Sequence, residues 1–148
     1  MPFLVEMARL ASTLEDRPLP AADDPVVLAV LPRASDSVVV ATDDSGNPLG
    51  VAWCHVHDPP LVLDEHGERL PELVLAVTES ARGQGVGLAL IEAIASETAE
   101  RSSTLTLNVH LRNPSVGLYM RSGFHVAGKG RGIFGVAMSR SLREQESA

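Results

Sequence analysis

Cysteine occurs once in this chain, as Cys54, so no disulfide can form within it. Aromatic residues make up 3% of the 148 positions and the formal charge is -7. That balance argues against a broad nucleic-acid surface, which needs a basic stripe and, for single strands, rings on which bases stack. A small anionic ligand with its own local pocket stays open. No apolar run approaches the roughly 20 residues required to cross a bilayer, so no membrane insertion is expected. A basic start, apolar run and small-residue cleavage site are also missing, and the expected location is cytoplasmic. What is present is 45% hydrophobic composition over a length that suffices for one core, giving a single domain over residues 1–148.

Phe3, Leu4, Met7, Leu10, Ala11 and Leu14 recur at helical spacing before PLPAADDP interrupts them. Asp24-Pro25 can cap a short second helix, VVLAVL, which Pro32 ends. SVVVAT and PLGVAWCHVH flank the turn-forming DDSGN and predict a β-hairpin, and a further strand is expected at Glu72 to Thr78. Val86, Leu90 and Ile94, widened by Ile91, mark an amphipathic helix running to about Arg101. Thr104 to Leu111 alternates polar and apolar residues, as a strand with one buried face does. Asn113-Pro114 and Gly123 bracket about two turns of helix, and FHVAG and IFGVAMSRSL form two last strands around GKGRG. This order of elements predicts an α/β fold with a mixed sheet and right-handed crossovers.

The segment ESARGQGVGLALI places Gly83, Gly85 and Gly87, with Arg82, between a strand and a helix. A helix start exposes unpaired backbone N–H groups and partial positive charge, which suits phosphate, and glycines let a phosphate reach that backbone. On the glycines alone, a turn requiring positive φ angles explains the pattern equally well. A Walker A loop would end in Gly-Lys-Ser/Thr, and this one ends Gly-Val-Gly-Leu. The dinucleotide pattern G-x-G-x-x-G would need glycine at Leu88 or Leu90.

LAVTESARGQGVGLALIEAI followed by NPSVGLYMRSGF resembles the acetyl-coenzyme A binding core of the GNAT N-acetyltransferases. Val77, Arg82, Gly85 and Gly87 match the family's V-x-p-x-x-(R/Q)-x-x-G-x-(G/A), with Glu79 where proline is frequent. Asn113, Tyr119 and Gly123-Phe124 match its second signature. The resemblance covers Glu72 to the end and implies a mixed, mostly antiparallel sheet flanked by helices. The family's usual first strand is expected to be missing, because the chain starts almost inside the first helix. The resemblance further implies that backbone groups of Leu75, Ala76 and Val77 bind the pantetheine arm. The stretch Arg82, Gly83, Gln84, Gly85, Val86, Gly87 and Leu88 would hold the pyrophosphate, with Asn113 also on the cofactor side. Some relatives carry a glutamate base where this chain has Asn108.

The expected activity is transfer of acetyl from acetyl-CoA to a primary amine of a small molecule or peptide, by direct attack and without a metal. Glu72 is the candidate base and Tyr119 the candidate acid for the departing sulfur. A non-catalytic acetyl-CoA binding or sensing module is the alternative. His55 and His57 share one strand face but lack a clear third ligand, so partly exposed histidines are preferred to a metal site. Cys54 is expected as a small buried hydrophobe. The acids Asp58, Asp64, Glu65 and Glu68 are assigned to a solvated loop. The exposed final strands offer an edge for a homodimer.

Overall fold

The computed structural model describes residues 36–56 and 60–142, together with Phe3, Met7, residues 21–23 and Pro32. In chain order these form β1 (Val38–Thr42), β2 (Pro48–His55), β3 (Glu72–Val77), a 3-10 turn at Glu79–Ala81 and α1 (Val86–Thr98). Then come β4 (Thr104–His110), α2 (Val116–Arg121), β5 (His125–Lys129) and β6 (Gly135–Ser141). Phe3 and Met7 are helical, as their spacing predicts. The second helix at VVLAVL and the question of a missing first strand lie outside the described residues.

The six strands lie in the order β1-β2-β3-β4-β6-β5, so the last strand inserts between β4 and β5. All neighbours are antiparallel except β3 and β4, which run parallel. Alternation along the strands divides the interior into two layers. Ala52, Cys54, Leu73, Leu105, Leu107 and Val109 pack with Leu90, Ile91 and Ile94 of α1 and with Tyr119 of α2. On the other face Val51, Trp53, Val74 and Ala76 pack with Met7, and Phe3 adds to them. Phe3 and Met7 therefore cover the face opposite α1.

Two acidic turns explain how the early strands are joined. Asp43 Oδ1 accepts the amides of Ser45 and Asn47 at 2.9 Å, while Gly46 takes the positive φ that the bend requires. Asp64 Oδ1 likewise accepts the amides of His66 and Glu68 at 2.8 Å. Those bonds, led by the one from Glu68, hold the Asp64 carboxyl below its ordinary range. The expectation of a solvated loop gains a definite form for Asp64, Glu65 and Glu68; Asp58 and His57 lie outside the described residues.

Some boundaries differ from those read in the sequence. β6 begins at Gly135 rather than Ile133, because Ile133 and Phe134 belong to the turn that carries GKGRG forward and are 88% and 53% exposed. α1 ends at Thr98, and Arg101 follows in a turn closed by its amide on the Thr98 carbonyl at 2.9 Å. α2 ends at Arg121, and past its cap Gly123, with a φ of 93°, lets the Phe124 amide return to the Tyr119 carbonyl at 3.0 Å.

Candidate active site

β3 and β4 share a single ladder position, Glu72 with Thr106. The Thr106 amide and hydroxyl both donate to the Pro71 carbonyl, at 3.0 and 2.8 Å. Beyond this point the two parallel strands pair no further, and a seam opens toward their carboxyl ends. Such a crevice between the carboxyl ends of adjacent strands is the common ligand position in open α/β sheets.

Which backbone groups face the seam follows from the antiparallel pairing on the other side of β3. The Thr78 amide donates to the Leu49 carbonyl at 2.8 Å, and the register pairs Val77 with Gly50 and Ala76 with Val51. Hydrogen-bonded and non-bonded pairs alternate, so Ala76 and Val74 spend their backbone groups on β2. Leu75 and Val77 turn theirs toward the seam. Of the three backbones expected along the pantetheine arm, Leu75 and Val77 thus face the seam and Ala76 pairs with β2.

At the end of β3 the glycine stretch makes the start of α1. Gly83 and Gly85 have φ of 77° and 84°, and a Cβ at either would meet nothing within 4 Å. Both conformations favour glycine, and open space lies in front of each. Gly85 caps α1 without any side-chain hydrogen bond. No other described group accepts a well-formed hydrogen bond from the amides of residues 83 to 88. Arg82 is exposed beside them, whereas the Gln84 side chain donates to the Ser80 carbonyl at 3.1 Å and braces the turn. Gly87 has a different reason: a Cβ there would lie 2.9 Å from Leu118 Cδ2, so it lets α1 approach α2. Val86 is half-buried and Leu88 exposed.

Asn113 Oδ1 accepts the Ser115 amide at 2.8 Å, and its carbonyl accepts Val116 N–H at 3.1 Å. It thereby aims α2, whose one buried residue is Tyr119. The Tyr119 ring meets Phe124 edge-on at 5.9 Å, and its hydroxyl has no hydrogen-bond partner among the described residues. Burial pushes its pKa up to about 12. Among the described residues, then, no group takes this hydroxyl's proton.

Glu72 is only 3% exposed and both its oxygens are engaged. Arg131 Nη1 and Nη2 donate to Oε1 and Oε2 at 2.7 Å each, and the Leu61 amide approaches Oε2 at 3.3 Å. Sequence reasoning singled out Glu72 and missed its partner, although GKGRG was visible. The exposed pair Arg140–Glu92, at 2.8 Å, is worth about 0.2–1 kcal/mol; in Glu72–Arg131 the carboxylate is buried while the guanidinium is 33% exposed, so losing the arginine would leave a buried charge unpaired, at a cost that solvent at the arginine reduces. Only the second can shape the site.

The remaining candidates are explained without catalysis. Cys54 is buried, in contact with the Thr98 hydroxyl at 3.4 Å, and burial raises its pKa to about 11, far from thiolate chemistry. His110 Nδ1 accepts the Arg112 amide at 3.0 Å. His55 is buried on β2 rather than partly exposed. No group of three metal-ligating side chains occurs among the described residues. Nor is any described helix long and apolar enough to cross a membrane.

The acetyltransferase (GNAT) domain family matches residues 34–126, and this chain belongs to that family. A 5-NmdU N-acetyltransferase of Pseudomonas phage PaMx11 is 43% identical over 74 residues, covering 47% of this chain and 51% of that protein. The chain thus matches about half the length of that relative. Among solved structures, a GCN5-related N-acetyltransferase from Kribbella flavida aligns with a TM-score of 0.65 at 24% identity, covering 95% of this chain and 88% of the other. A ribosomal-protein-alanine N-acetyltransferase from Brucella melitensis gives 0.67 at 22% identity, covering 95% and 93%. The resemblance read from the two signatures is borne out, and so is the mixed sheet with flanking helices.

Proposed function

We propose that this protein transfers an acetyl group from acetyl-CoA to a primary amine by direct attack within a ternary complex. The observation that carries this reading is the seam between β3 and β4, open beside a glycine-built helix start whose amides have no acceptor among the described residues. Those amides, with Arg82, suit a pyrophosphate. The seam-facing backbones of Leu75 and Val77 suit an extended amide-bearing arm, which can add to a strand edge as another strand would. When bound, acetyl-CoA supplies a thioester whose acetyl carbon is open to an amine.

Each demand of the reaction then meets a group of this chain. A backbone N–H on the free edge of β3 would stabilise charge developing on the acetyl oxygen. Tyr119, which stays protonated well above neutral pH, would give its proton to the departing sulfur. The amine proton is assigned to solvent water, since Glu72 could accept it only after its pairing with Arg131 opened. The acceptor is a small-molecule or peptide amine; the phage relative's name extends the transferase class to this chain, while its particular acceptor is said of that relative.

Thermal melting with acetyl-CoA tests the binding half of this reading. At a hundredfold excess over Kd, a ligand of the folded state adds about 2.7 kcal/mol, which raises the melting temperature by several degrees. No shift at millimolar acetyl-CoA would reject the proposed site. A shift with no turnover on any amine would instead favour a sensing module.

A further inference from the structure

The halves of the sheet, β1-β2-β3 and β4-β6-β5, meet at one ladder position, and the Arg131–Glu72 pair reaches across it. The delivery of Arg131 is specified in unusual detail. Its amide donates to Asn108 Oδ1 at 2.8 Å, and the Gly130 amide donates to the Gly135 carbonyl at 2.9 Å. A Cβ on Gly130 would fall 2.1 Å from Asn108 Oδ1, and one on Gly135 would fall 1.8 Å from the Arg131 carbonyl oxygen. Gly132 adds a φ of 79°. Two glycines permit close approach, one permits the bend, and the result is a guanidinium set on the far side of the seam. The same turn borders an open groove of about 390 Å³ lined by Asn108, His110, Arg131, Ile133 and Phe134. The rings of His110 and Phe134 stand 5.3 Å apart there. Alternation along β4 puts Asn108 and His110 on the face opposite Leu107 and Val109, and therefore opposite Tyr119.

We propose that Asn108 and Arg131 are positioning residues: seated on Asn108, Arg131 clasps Glu72 across the seam and so locks the β5–β6 turn as the wall of the pocket that receives the acceptor amine. The occupant of the pocket rests on the transferase reading above; the clasp does not. Glu72 then serves by holding Arg131, and the asparagine at the position where some relatives carry a base acquires a role of its own.

The test uses the full chain and four variants: Glu72→Gln, Arg131→Gln, their combination, and Arg131→Lys. Hydrogen exchange of residues 130–135 is measured without any ligand. Steady-state kinetics are measured with acetyl-CoA and the amine acetylated fastest in a panel of polyamines, aminoglycosides and short peptides. Both single variants should speed exchange of the Arg131 amide and raise the amine KM roughly tenfold, with kcat and acetyl-CoA affinity within about threefold. The double variant should be no worse than either single one, and Arg131→Lys, which keeps the charge, should recover part of the loss. Unchanged exchange in Glu72→Gln and Arg131→Gln would overturn the clasp. An unaltered amine KM, or faster turnover in Arg131→Gln from a freed carboxylate base, would overturn its role in acceptor binding. If the Gln variants fail to fold, Arg131→Lys decides by the same exchange and KM readouts. If no amine in the panel is acetylated, the transferase reading fails while the exchange measurement still decides the clasp.

Discussion

Tyr119 and Glu72 stand on opposite faces of the same sheet. Tyr119 packs in the layer of Leu73 and Leu107, whereas Glu72 alternates with Val74 and Ala76 on the face that Met7 covers. In the proposed mechanism the seam between β3 and β4 joins the two faces. A thioester entering from the Tyr119 face and an amine entering from the Glu72 face would meet within it, which fits direct attack without a covalent enzyme intermediate.

Replacing Tyr119 by phenylalanine removes a hydroxyl with no partner among the described residues and keeps the ring that packs on Phe124. Stability should change little. Turnover should fall by roughly ten- to a thousandfold while acetyl-CoA affinity holds, as expected when only acid catalysis is lost. Steady-state kinetics beside a direct cofactor titration check both halves; full activity would remove the hydroxyl from the mechanism.

Gly85 and Gly46 share nearly the same φ, 84° and 86°, with open space in front of each. Alanine at either should cost similar stability, about 1–2 kcal/mol from the left-handed backbone. Only Gly85→Ala should weaken acetyl-CoA binding by an order of magnitude or more, because only there would the methyl stand before the amides proposed to hold phosphate. Equal affinities in calorimetric titration of both variants would return Gly85 to being a turn residue.

Gly87 was grouped with Gly83 and Gly85 by spacing, and the structure separates them. Alanine at Gly87 should fall short of the roughly 1 kcal/mol that alanine usually gains over glycine in a helix, because the Leu118 side chain must shift to admit the methyl. Combining it with Leu118→Ala should recover part of that shortfall, since the second change removes the atom that the new methyl strikes. Additive melting shifts in the double variant would contradict the contact.

Much of the fold was legible because its signals are local. The alternation of TLTLNVHL, the 3.6 period from Val86 to Ile94, and the stop at Gly123 each report on their own neighbours. Family membership was legible for a related reason, since two signatures each constrain a single turn. What could not be read is what depends on distant segments meeting. Nothing near Glu72 in the chain announces Arg131, 59 residues on, and nothing in GQGVG distinguishes a glycine facing open space from one facing Leu118. The commitment of Ala76 to β2 likewise required the register of the hairpin.

Alkaline pH offers a test of the layer beneath α1. Burial raises the Cys54 thiol from 9.0 to about 11, so above pH 9 the unfolded chain loses this proton before the folded one does. The stabilisation is present below pH 9 and is lost progressively as pH rises to about 11, up to about 3 kcal/mol in all. Tyr119 extends the same trend from 10 toward 12. Cys54→Ala should therefore show a shallower fall in stability between pH 9 and 11 than wild type by denaturant titration. Parallel curves would mean that the thiol is not shielded from solvent.

Release of free thiol from acetyl-CoA, followed across a panel of primary amines with wild type and Tyr119→Phe side by side, tests the central claim most directly. The account predicts amine-dependent release by wild type, with the acetylated amine recovered in equal amount, and much slower release by a Tyr119→Phe variant that still binds the cofactor. Tight binding of acetyl-CoA with no amine-dependent thiol release from wild type on any acceptor would contradict it.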